Sequence, residues 1–294
     1  MTELPPLKTT ITFGDGIVVH RVGYGAMKLT GDQVWGEYPH RDQGIALLRA
    51  AVEAGINFID TADVYGPHFN ELLIREALHP YPDGLVIATK GGFVRGGFEY
   101  ETLGAVGNVN YLRQSAQMSA HRLGVEAIDL YYLHSGHATD APFEDQVGAL
   151  ADLKAKGVIR NIGLSNISLE QLRIAQEIVP IAAVTALYNV TMRTGAGLLA
   201  AAEEGDLAFS PWHPITITDG PLAEVARGVI SPIAQTHEAT APQIALAWQL
   251  QRSPRSVPIP GTTSLIHLKA NLAAESIVLT QDEFDRISQI AAEP

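Results

Sequence analysis

Short apolar segments alternate with amphipathic segments along almost the whole chain, and this alternation constrains the fold more than any other feature. The apolar segments are predicted to be buried strands, because they are short and lack polar alternation. They cover 21–25, 57–59, 85–90, 127–133, 158–164, 181–187, 206–209 and 256–259. A helical pattern follows each of them, so the sequence predicts eight βα units with parallel strands.

Eight βα units match a single (β/α)8 barrel (TIM barrel), a fold of about 250 residues. A doubly wound sheet is the alternative, and to bind a dinucleotide it would need a Gly-x-Gly-x-x-Gly turn after an early strand. The segment 21–28 has only the first two glycines of that pattern, Gly23 and Gly25. The barrel is favoured because polar residues follow nearly every strand, and in a barrel those strand ends share the face that holds the active site.

Further elements are predicted outside the eight units. Residues 10–20 are predicted to form a β-hairpin that covers one end of the barrel. Two helices, 222–237 and 241–252, are predicted after the seventh strand, one more than a βα unit needs, and Thr280 with Glu283 forms a capping box for a last extra helix. The whole chain, 1–294, is therefore predicted to be one α/β domain, a barrel with an N-terminal β-hairpin and extra helices.

Composition excludes several classes of protein. No run of 18 apolar residues is present, and residues 1–6 have neither the charged nor the apolar region of a signal peptide. These features predict a soluble cytoplasmic protein without a membrane partner. The net charge of −12 argues against nucleic acid, although a local basic pocket can still bind an anion. The chain has no cysteine, which excludes disulfides and thiolate chemistry.

Ionisable residues follow three of the predicted strands. Asp60 ends the strand 57–59, and a carboxylate there is costly unless it has a partner. Lys90, at the end of the next strand, is the candidate partner, and Tyr65 follows Asp60 in the same loop. If these three residues converge, Asp60 and Lys90 could adjust the pKa of the Tyr65 phenol, although Asp60 and Lys90 alone could be a structural ion pair. His134 ends the strand 127–133, where it could also be a structural histidine.

Two loops deserve separate interpretations. The segment 91–107 holds six glycines and is predicted to be a loose active-site loop rather than a disordered insertion. His134, His137 and Asp140 are weak evidence for a metal site, because no cluster of strand-end carboxylates accompanies them. No metal is predicted.

Five motifs in this order make the chain resemble an aldo-keto reductase over nearly its full length. They are Gly55-Ile-Asn-Phe-Ile-Asp-Thr-Ala-Asp-Val-Tyr-Gly66, Ala88-Thr-Lys90, Asp129-Leu-Tyr-Tyr-Leu-His134, Ile162-Gly-Leu-Ser-Asn166 and Pro258-Ile-Pro-Gly-Thr-Thr-Ser-Leu-Ile-His-Leu-Lys-Ala-Asn271. Within that family the chain is similar to bacterial oxidoreductases that resemble pyridoxal reductases.

The resemblance implies the reaction and its catalytic residues. Hydride would pass from a nicotinamide to a carbonyl carbon, while Tyr65 gives a proton to the oxygen. A tyrosine has a reference pKa of about 10, and Lys90, oriented by Asp60, is expected to lower it. His134 would donate a hydrogen bond to the carbonyl oxygen.

The resemblance also implies the cofactor residues. Ser165 and Asn166 match the pair that binds the nicotinamide carboxamide, Thr185 stands where the family usually has Gln, and Phe209 matches the stacking aromatic beside Ser210. Gly261, Thr262, His267 and Asn271 match the adenosine-phosphate region, where a loop runs into a helix N-terminus. Relatives often carry Lys and Arg at the positions of Gly261 and His267. NADPH is the predicted cofactor, and NADH is less favoured.

The substrate is predicted to be a small-molecule carbonyl compound, of which pyridoxal is one candidate. Trp35, Tyr38, Phe93 and Trp212, with His213, lie in loops at the active-site end and are predicted to line the pocket, whereas Trp248 is predicted to be core. The chain is expected to be a monomer or a weak homo-oligomer. Two other functions stay open: a cofactor-binding regulatory subunit, and an aldolase that forms a Schiff base on Lys90.

Overall fold

A small antiparallel hairpin precedes a parallel sheet in the computed structural model, which describes residues 10–217 and 220–293. The strands there are β1 (Thr10–Phe13), β2 (Ile17–His20), β3 (Tyr24–Gly25), β4 (Phe58–Asp60), β5 (Val86–Gly91), β6 (Phe93–Arg95), β7 (Leu103–Ala105), β8 (Ile128–Leu133), β9 (Ile159–Ser165), β10 (Ala183–Leu187) and β11 (Ala208–Trp212). The α-helices there are α1 (Arg41–Glu53), α2 (Phe69–Leu78), α3 (Val109–Leu123), α4 (Phe143–Ala155), α5 (Leu169–Ile178), α6 (Ala196–Glu204), α7 (Ala223–Thr236), α8 (Ala241–Arg252), α9 (Leu265–Ala273) and α10 (Gln281–Ser288). Residues 1–6, on which the signal-peptide argument rests, lie outside the described residues.

Seven of these strands form one parallel sheet, in the order β3, β4, β5, β8, β9, β10 and β11. The segment 255–259 closes this sheet into a barrel. On one side the amide of Phe209 donates to the carbonyl of Arg255 (2.9 Å) and the amide of Val257 donates to the carbonyl of Phe209 (2.8 Å). On the other side the amide of Gly23 donates to the carbonyl of Pro258 (3.0 Å). The predicted (β/α)8 barrel is confirmed.

The eighth strand is short because of its prolines. It pairs with β11 through a single bridge between Phe209 and Ser256. Pro258 and Pro260 have no amide hydrogen, so neither can donate to a neighbouring strand. The segment therefore closes the barrel with few hydrogen bonds and then runs directly toward α9.

Side chains alternate between the interior of the barrel and the layer under the helices, as the period of a strand requires. On β5, Val86 and Ala88 belong to the interior cluster, whereas Ile87 belongs to the cluster under α1 and α2. The hairpin contributes Phe13 and Val19 to the interior cluster. It therefore closes the end of the barrel opposite the carboxyl ends of the strands, as predicted.

The segment 91–107 differs from its prediction as a loose loop. It contains an antiparallel hairpin in which Phe93 pairs with Ala105 and Arg95 pairs with Leu103. Gly96 and Gly97 follow the first strand of this hairpin, and the many glycines of the segment obscure the sequence pattern by which its short strands would be predicted. In the part of the chain that the structure describes, no helix is long and apolar enough to cross a membrane.

Candidate active site

The carboxyl ends of the parallel strands surround a cavity of about 310 Å³. All four predicted catalytic residues line it, and so do several predicted cofactor and substrate residues. The predicted residues in its wall are Asp60, Tyr65, Lys90, Phe93, His134, Ser165, Asn166, Thr185, Trp212 and Gly261. They come from the sheet strands or the residues directly after them, from the hairpin of β6 and β7, and from two loops, so the barrel assembles groups that are far apart in the sequence.

Asp60 and Lys90 form an ion pair at the bottom of the cavity, with 3% and 4% of their surfaces exposed. The ammonium of Lys90 donates to Asp60 Oδ1 and to the carbonyl oxygen of Thr61 (2.8 Å). Burial raises the pKa of Asp60, and the charge of Lys90 opposes that rise. An ammonium that is held by a carboxylate is a poor Schiff-base nucleophile, so this geometry disfavours the aldolase alternative.

Tyr65 lies between this ion pair and His134. The ammonium of Lys90 is 5.4 Å from the centre of the Tyr65 ring, and the rings of Tyr65 and His134 are 6.1 Å apart. Burial raises the pKa of Tyr65 well above its usual value, and the charges of Asp60 and Asp63 add to this effect. The expected lowering of this pKa by Lys90 is wrong for the structure, because burial of the phenol outweighs it. The phenol is therefore protonated at neutral pH.

His134 is held against the hairpin formed by β6 and β7. Its backbone amide donates to the carbonyl of Gly91 (2.9 Å), and its ring lies 4.6 Å from the ring of Phe93. Burial, followed by the charge of Lys90, holds the pKa of His134 well below its usual value. The imidazole is therefore neutral, with one N–H to donate. Its Nδ1 has no hydrogen-bond partner among the described residues.

Ser165 ends β9, Asn166 follows it, and Thr185 lies opposite Ser165 on the neighbouring strand β10. The amide nitrogen of Asn166 donates to Ser165 Oγ (3.2 Å) and to the carbonyl of His134 (3.4 Å). The hydroxyl of Thr185 donates to the carbonyl of Ser210 (2.6 Å). Because its hydrogen is used in this bond, Thr185 can offer a ligand only an acceptor.

The structure corrects the prediction for Phe209. Strand alternation places Ala208 and Ser210 of β11 inside the barrel, so the ring of Phe209 lies on the outer side. It is fully buried there, 5.8 Å from the ring of Tyr188. The aromatic residue of β11 that faces the cavity is Trp212. Its indole N–H has no partner among the described residues, and Ser210 Oγ, although buried, has none either.

The remaining predicted cofactor residues lie where the eighth strand runs into α9. Gly261 lines the cavity, Thr262 is buried beside it, and His267 and Asn271 lie one turn apart on α9, the first exposed and the second buried. Asn271 Nδ2 is buried without a partner in the described part of the chain. A Cβ on Gly261 would lie 2.8 Å from the carbonyl of Gly25, so glycine keeps this wall open.

These features fit a nicotinamide dinucleotide. Buried polar atoms without a partner among the described residues occur on His134 and Trp212, which line the cavity, and on Ser210 of β11 and Asn271 of α9. A helix N-terminus offers backbone N–H groups to phosphate. Burying polar atoms without partners is costly, so their presence in and near the cavity wall is expected where a polar ligand binds.

Two of the four predicted substrate residues do not line the cavity. Trp35 lies at the rim, where its ring is 5.3 Å from the guanidinium of Arg95. Tyr38 packs outside the barrel mouth, against Gly44 of α1. Both are in the loop after β3, and sequence alone does not show which part of a loop turns inward. Phe93 and Trp212 do line the cavity, as does His213. Trp248 is fully buried, as predicted for a core residue.

The sequence analysis missed two cationic residues in the cavity wall, Lys28 and Arg95. A Cβ on Gly261 would lie 3.8 Å from Lys28 Cγ, so Lys28 lies beside Gly261. No carboxylate lies within 4.0 Å of either cation in the described residues. Lys28 could have been found from its place one turn after the first barrel strand, and Arg95 from its place in the predicted active-site loop.

Asp140 has a structural role that separates it from His134 and His137. Its carboxylate accepts hydrogen bonds from the backbone amides of Gly107 (2.7 Å) and Asn108 (3.1 Å), just before α3. These bonds lower its pKa. Within the described residues, no group of three or more histidine and acidic side chains could hold a metal ion.

The model of the aldo/keto reductase family matches residues 21–292. Similar proteins include an uncharacterised oxidoreductase of Schizosaccharomyces pombe, which is 41% identical over 281 residues, 95% of this chain and 89% of that protein. Pyridoxine 4-dehydrogenase of Escherichia coli is 36% identical over 280 residues, 94% of this chain and 96% of that protein.

Solved structures show the same likeness. A thermostable aldo-keto reductase in complex with the inhibitor epalrestat has a TM-score of 0.84 and 27% identity, with 97% of this chain and all of that chain (100%) covered. An aldo/keto reductase from Klebsiella pneumoniae in complex with NADP and acetate has a TM-score of 0.79 and 26% identity, with 97% and 95% covered.

Proposed function

Since this chain belongs to the aldo/keto reductase family, we propose that it reduces aldehydes and ketones with NADPH and that Tyr65 is the general acid. The chain is an NAD(P)H-dependent oxidoreductase, and the family acts on small-molecule carbonyl compounds. The observation that carries the finer proposal is the meeting of Asp60, Tyr65, Lys90 and His134 in one cavity wall. The bound nicotinamide supplies the hydride.

The protonation states of the site suit a reduction. Tyr65 keeps its proton until the carbonyl oxygen gains negative charge, because its pKa is raised. Neutral His134 donates its N–H to that oxygen and orients the carbonyl. Lys90, 5.4 Å from the Tyr65 ring, stabilises the phenolate once the proton has left. Asp60 keeps the ammonium charged and in place.

The nicotinamide end of the cofactor is assigned to Ser165, Asn166 and Thr185. Ser165 and Asn166 would bind the carboxamide, and Thr185 would accept a hydrogen bond from one of its N–H groups. We assign ring stacking to Trp212 in place of Phe209, because Trp212 faces the cavity and Phe209 does not. Stacking on an indole places the ring firmly without using a hydrogen bond.

The phosphate end is assigned to the loop and helix that follow the eighth strand, with Gly261, Thr262, His267 and Asn271. Lys28 supplies positive charge beside Gly261. The preference for NADPH is supported by the similar Klebsiella pneumoniae reductase in complex with NADP. It is opposed by the loss of an arginine at His267, because arginine would grip a 2′-phosphate in two places.

The substrate is proposed to be an aldehyde with an apolar or aromatic body. Phe93, Tyr100 and Leu103 of the hairpin, together with Trp212, give the cavity an apolar wall. Pyridoxal is one candidate, since the similar Escherichia coli protein is named pyridoxine 4-dehydrogenase.

The acid is tested by Tyr65→Phe, with Tyr100→Phe as a matched control in the same cavity. Loss of general acid catalysis should lower the single-turnover rate by about 10²–10⁴-fold while NADPH affinity is kept. Tyr100→Phe should keep the rate within about twofold of the parent, because its hydroxyl is given no proton-transfer role. A Tyr65→Phe variant with the parent rate on every aldehyde would remove Tyr65 from the role.

The cofactor is tested by fluorescence titration with NADPH and NADH, followed by an aldehyde panel with each. NADPH should bind more tightly than NADH. Lys28→Gln should weaken the binding of both cofactors, because it removes a cation from the phosphate end of the site. Equal affinities for the two cofactors would contradict the NADPH preference. Absence of turnover with every aldehyde would favour a cofactor-binding regulatory role.

A further inference from the structure

A second cluster of buried polar groups lies behind the cavity wall. The hydroxyl of Ser115 on α3 donates to Asp63 Oδ2 (2.5 Å) and lies 3.1 Å from the hydroxyl of Tyr131 on β8. Asp63 is 2% exposed, Ser115 is 7% exposed and Tyr131 is fully buried. None of the three lines the cavity, and the proposed mechanism uses none of them.

Each member of this cluster adjoins a segment that carries a catalytic residue. Asp63 precedes Tyr65 by two residues in the same loop, and Tyr131 precedes His134 by three residues on β8. Gly91, directly after Lys90, packs against both hydroxyl groups. A Cβ at Gly91 would overlap the hydroxyl of Tyr131 and approach Ser115 Oγ to 2.5 Å, so this contact requires glycine.

Backbone hydrogen bonds join the same three segments directly. The amide of Asp63 donates to the carbonyl of Lys90 (3.0 Å), and the amide of His134 donates to the carbonyl of Gly91 (2.9 Å). The chain of side-chain hydrogen bonds therefore lies behind the junction where the segments that carry Tyr65, Lys90 and His134 meet. Ser115 is its centre, because it contacts both other members.

We propose that Ser115 is a positioning residue, which holds the loop of Tyr65 against the strand ends of Lys90 and His134 through Asp63 and Tyr131. This inference rests on the proposed function, because it assumes that these three residues act together on a carbonyl. Packing alone does not require a polar group at this position. Two neighbouring buried positions of α3, Leu112 and Ala116, fill the same layer with apolar side chains.

Charge makes this chain of hydrogen bonds sensitive to pH. Burial raises the pKa of Asp63 to about 7, with Glu71 of α2 adding to the rise, while the Ser115 hydrogen bond and Arg122 of α3 oppose it. The other titratable groups that interact with Asp63 are Tyr65, Tyr111, Tyr131 and His68, which forms a hydrogen bond with the backbone of Asp63. A hydrogen bond to an ionised acceptor is about twice as strong as a neutral one. Protonation of Asp63 therefore weakens the hydrogen bond by which Ser115 holds the loop of Tyr65.

The test compares Ser115→Ala with Ser119→Ala, the same change one turn later on α3. Ser119 is also buried and accepts a hydrogen bond, from Arg122 Nη2 (3.1 Å), but it contacts no catalytic segment through that bond. Ser115→Ala should lower the single-turnover rate of hydride transfer about tenfold or more, because small displacements of reacting groups are costly. NADPH affinity should be unchanged, and Ser119→Ala should keep the rate within about twofold.

The pH profile separates positioning from simple loss of stability. The parent rate should fall below about pH 7 as Asp63 is protonated, and this fall should be absent in Ser115→Ala and in Asp63→Asn. Equal slowing by Ser115→Ala and Ser119→Ala, or a parent rate in Ser115→Ala, would overturn the proposal. A parent enzyme that reduces no aldehyde would instead overturn the proposed function.

Discussion

At the scale of single residues, the buried pair of Asp60 and Lys90 ties stability to chemistry. Lys90→Met should destabilise the protein by about 3–5 kcal/mol at neutral pH, because Asp60 would be left buried without its partner. The double variant Asp60→Asn with Lys90→Met should recover much of that loss, since no charge remains. Urea unfolding of both variants and the parent measures the difference.

The pH dependence of that loss has a defined sign. In Lys90→Met, lowering the pH protonates Asp60 and removes the orphaned charge, so the deficit relative to the parent should shrink in acid. It should grow as the pH rises through the titration of Asp60. A deficit below about 1 kcal/mol at pH 8 would show that the pair is solvated rather than buried.

Asp63 is the second residue whose charge should govern stability. Its pKa is raised to about 7 in the folded protein, against a reference of about 3.9, so the folded state binds more protons between these values. Stability should therefore fall as the pH rises from about 4 to about 7, by about 4 kcal/mol from this residue alone. Asp63→Asn should flatten that slope and stabilise the protein above pH 7.

Measurement of unfolding free energy at intervals from pH 4 to pH 8 would check this. Ser115→Ala offers a contrast, because it removes a hydrogen bond that lowers the pKa of Asp63 and should therefore extend the fall in stability to higher pH. If Asp63→Asn had the same slope as the parent, another group would cause the pH dependence. The charged form of Asp63 would then also be a poor candidate for positioning Tyr65.

At the scale of elements, the hairpin of β6 and β7 forms one wall of the cavity. Arg95 fixes it to the loop after β3, because its guanidinium donates to the carbonyls of Gln33 (2.9 Å) and Val34 (3.2 Å). It also donates to the carbonyl of Phe98 within the hairpin (2.5 Å). Arg95→Lys keeps the charge but cannot span all three acceptors.

Loosening of the hairpin should raise the KM for aldehydes roughly tenfold, since the lost hydrogen bonds are each worth about 1 kcal/mol. NADPH affinity should change little, and protease cleavage within 93–105 should become faster. Arg113→Lys is the control, because Arg113 pairs with Asp152 at the surface of the helical layer (2.7 Å). Equal KM values for parent and Arg95→Lys would mean that the hairpin does not need this anchor.

The elements also show what sequence could and could not supply. Strand order and the strand-end positions of Asp60, Lys90 and His134 followed from apolar runs and the polar residues that end them. The face of the strand to which a side chain points did not follow from these patterns. Phe209 and Trp212 differ by three positions on β11, so the first faces outward and the second faces the barrel interior. Likewise the hairpin at 93–105 was hidden by its glycines, and the outward turn of Tyr38 depends on packing against Gly44 that no local pattern encodes.

At the scale of the whole molecule, closure of the barrel depends on the short segment 255–259. This segment forms hydrogen bonds with β11 on one side and with Gly23 on the other, so early and late parts of the chain are both needed to close the barrel. Removal of either part would leave two unpaired strand edges. We therefore propose that residues 1–294 are one folding unit, and we expect a monomer or a weak homo-oligomer by light scattering.

A single folding unit should unfold in one cooperative transition. Of the three tryptophans, Trp248 on α8 is fully buried in the second half of the chain, and the guanidinium of Arg193 lies 4.1 Å from the centre of its ring. A variant with Trp35→Phe and Trp212→Phe therefore reports unfolding of that half through Trp248 alone, while circular dichroism reports the whole chain. The two urea midpoints should coincide, because neither half can keep its sheet edges paired without the other. NADPH should raise both midpoints by the same amount, since it binds only the folded barrel. If the Trp248 signal is lost at a lower urea concentration than the circular dichroism signal, the two halves unfold separately and the chain is not one domain.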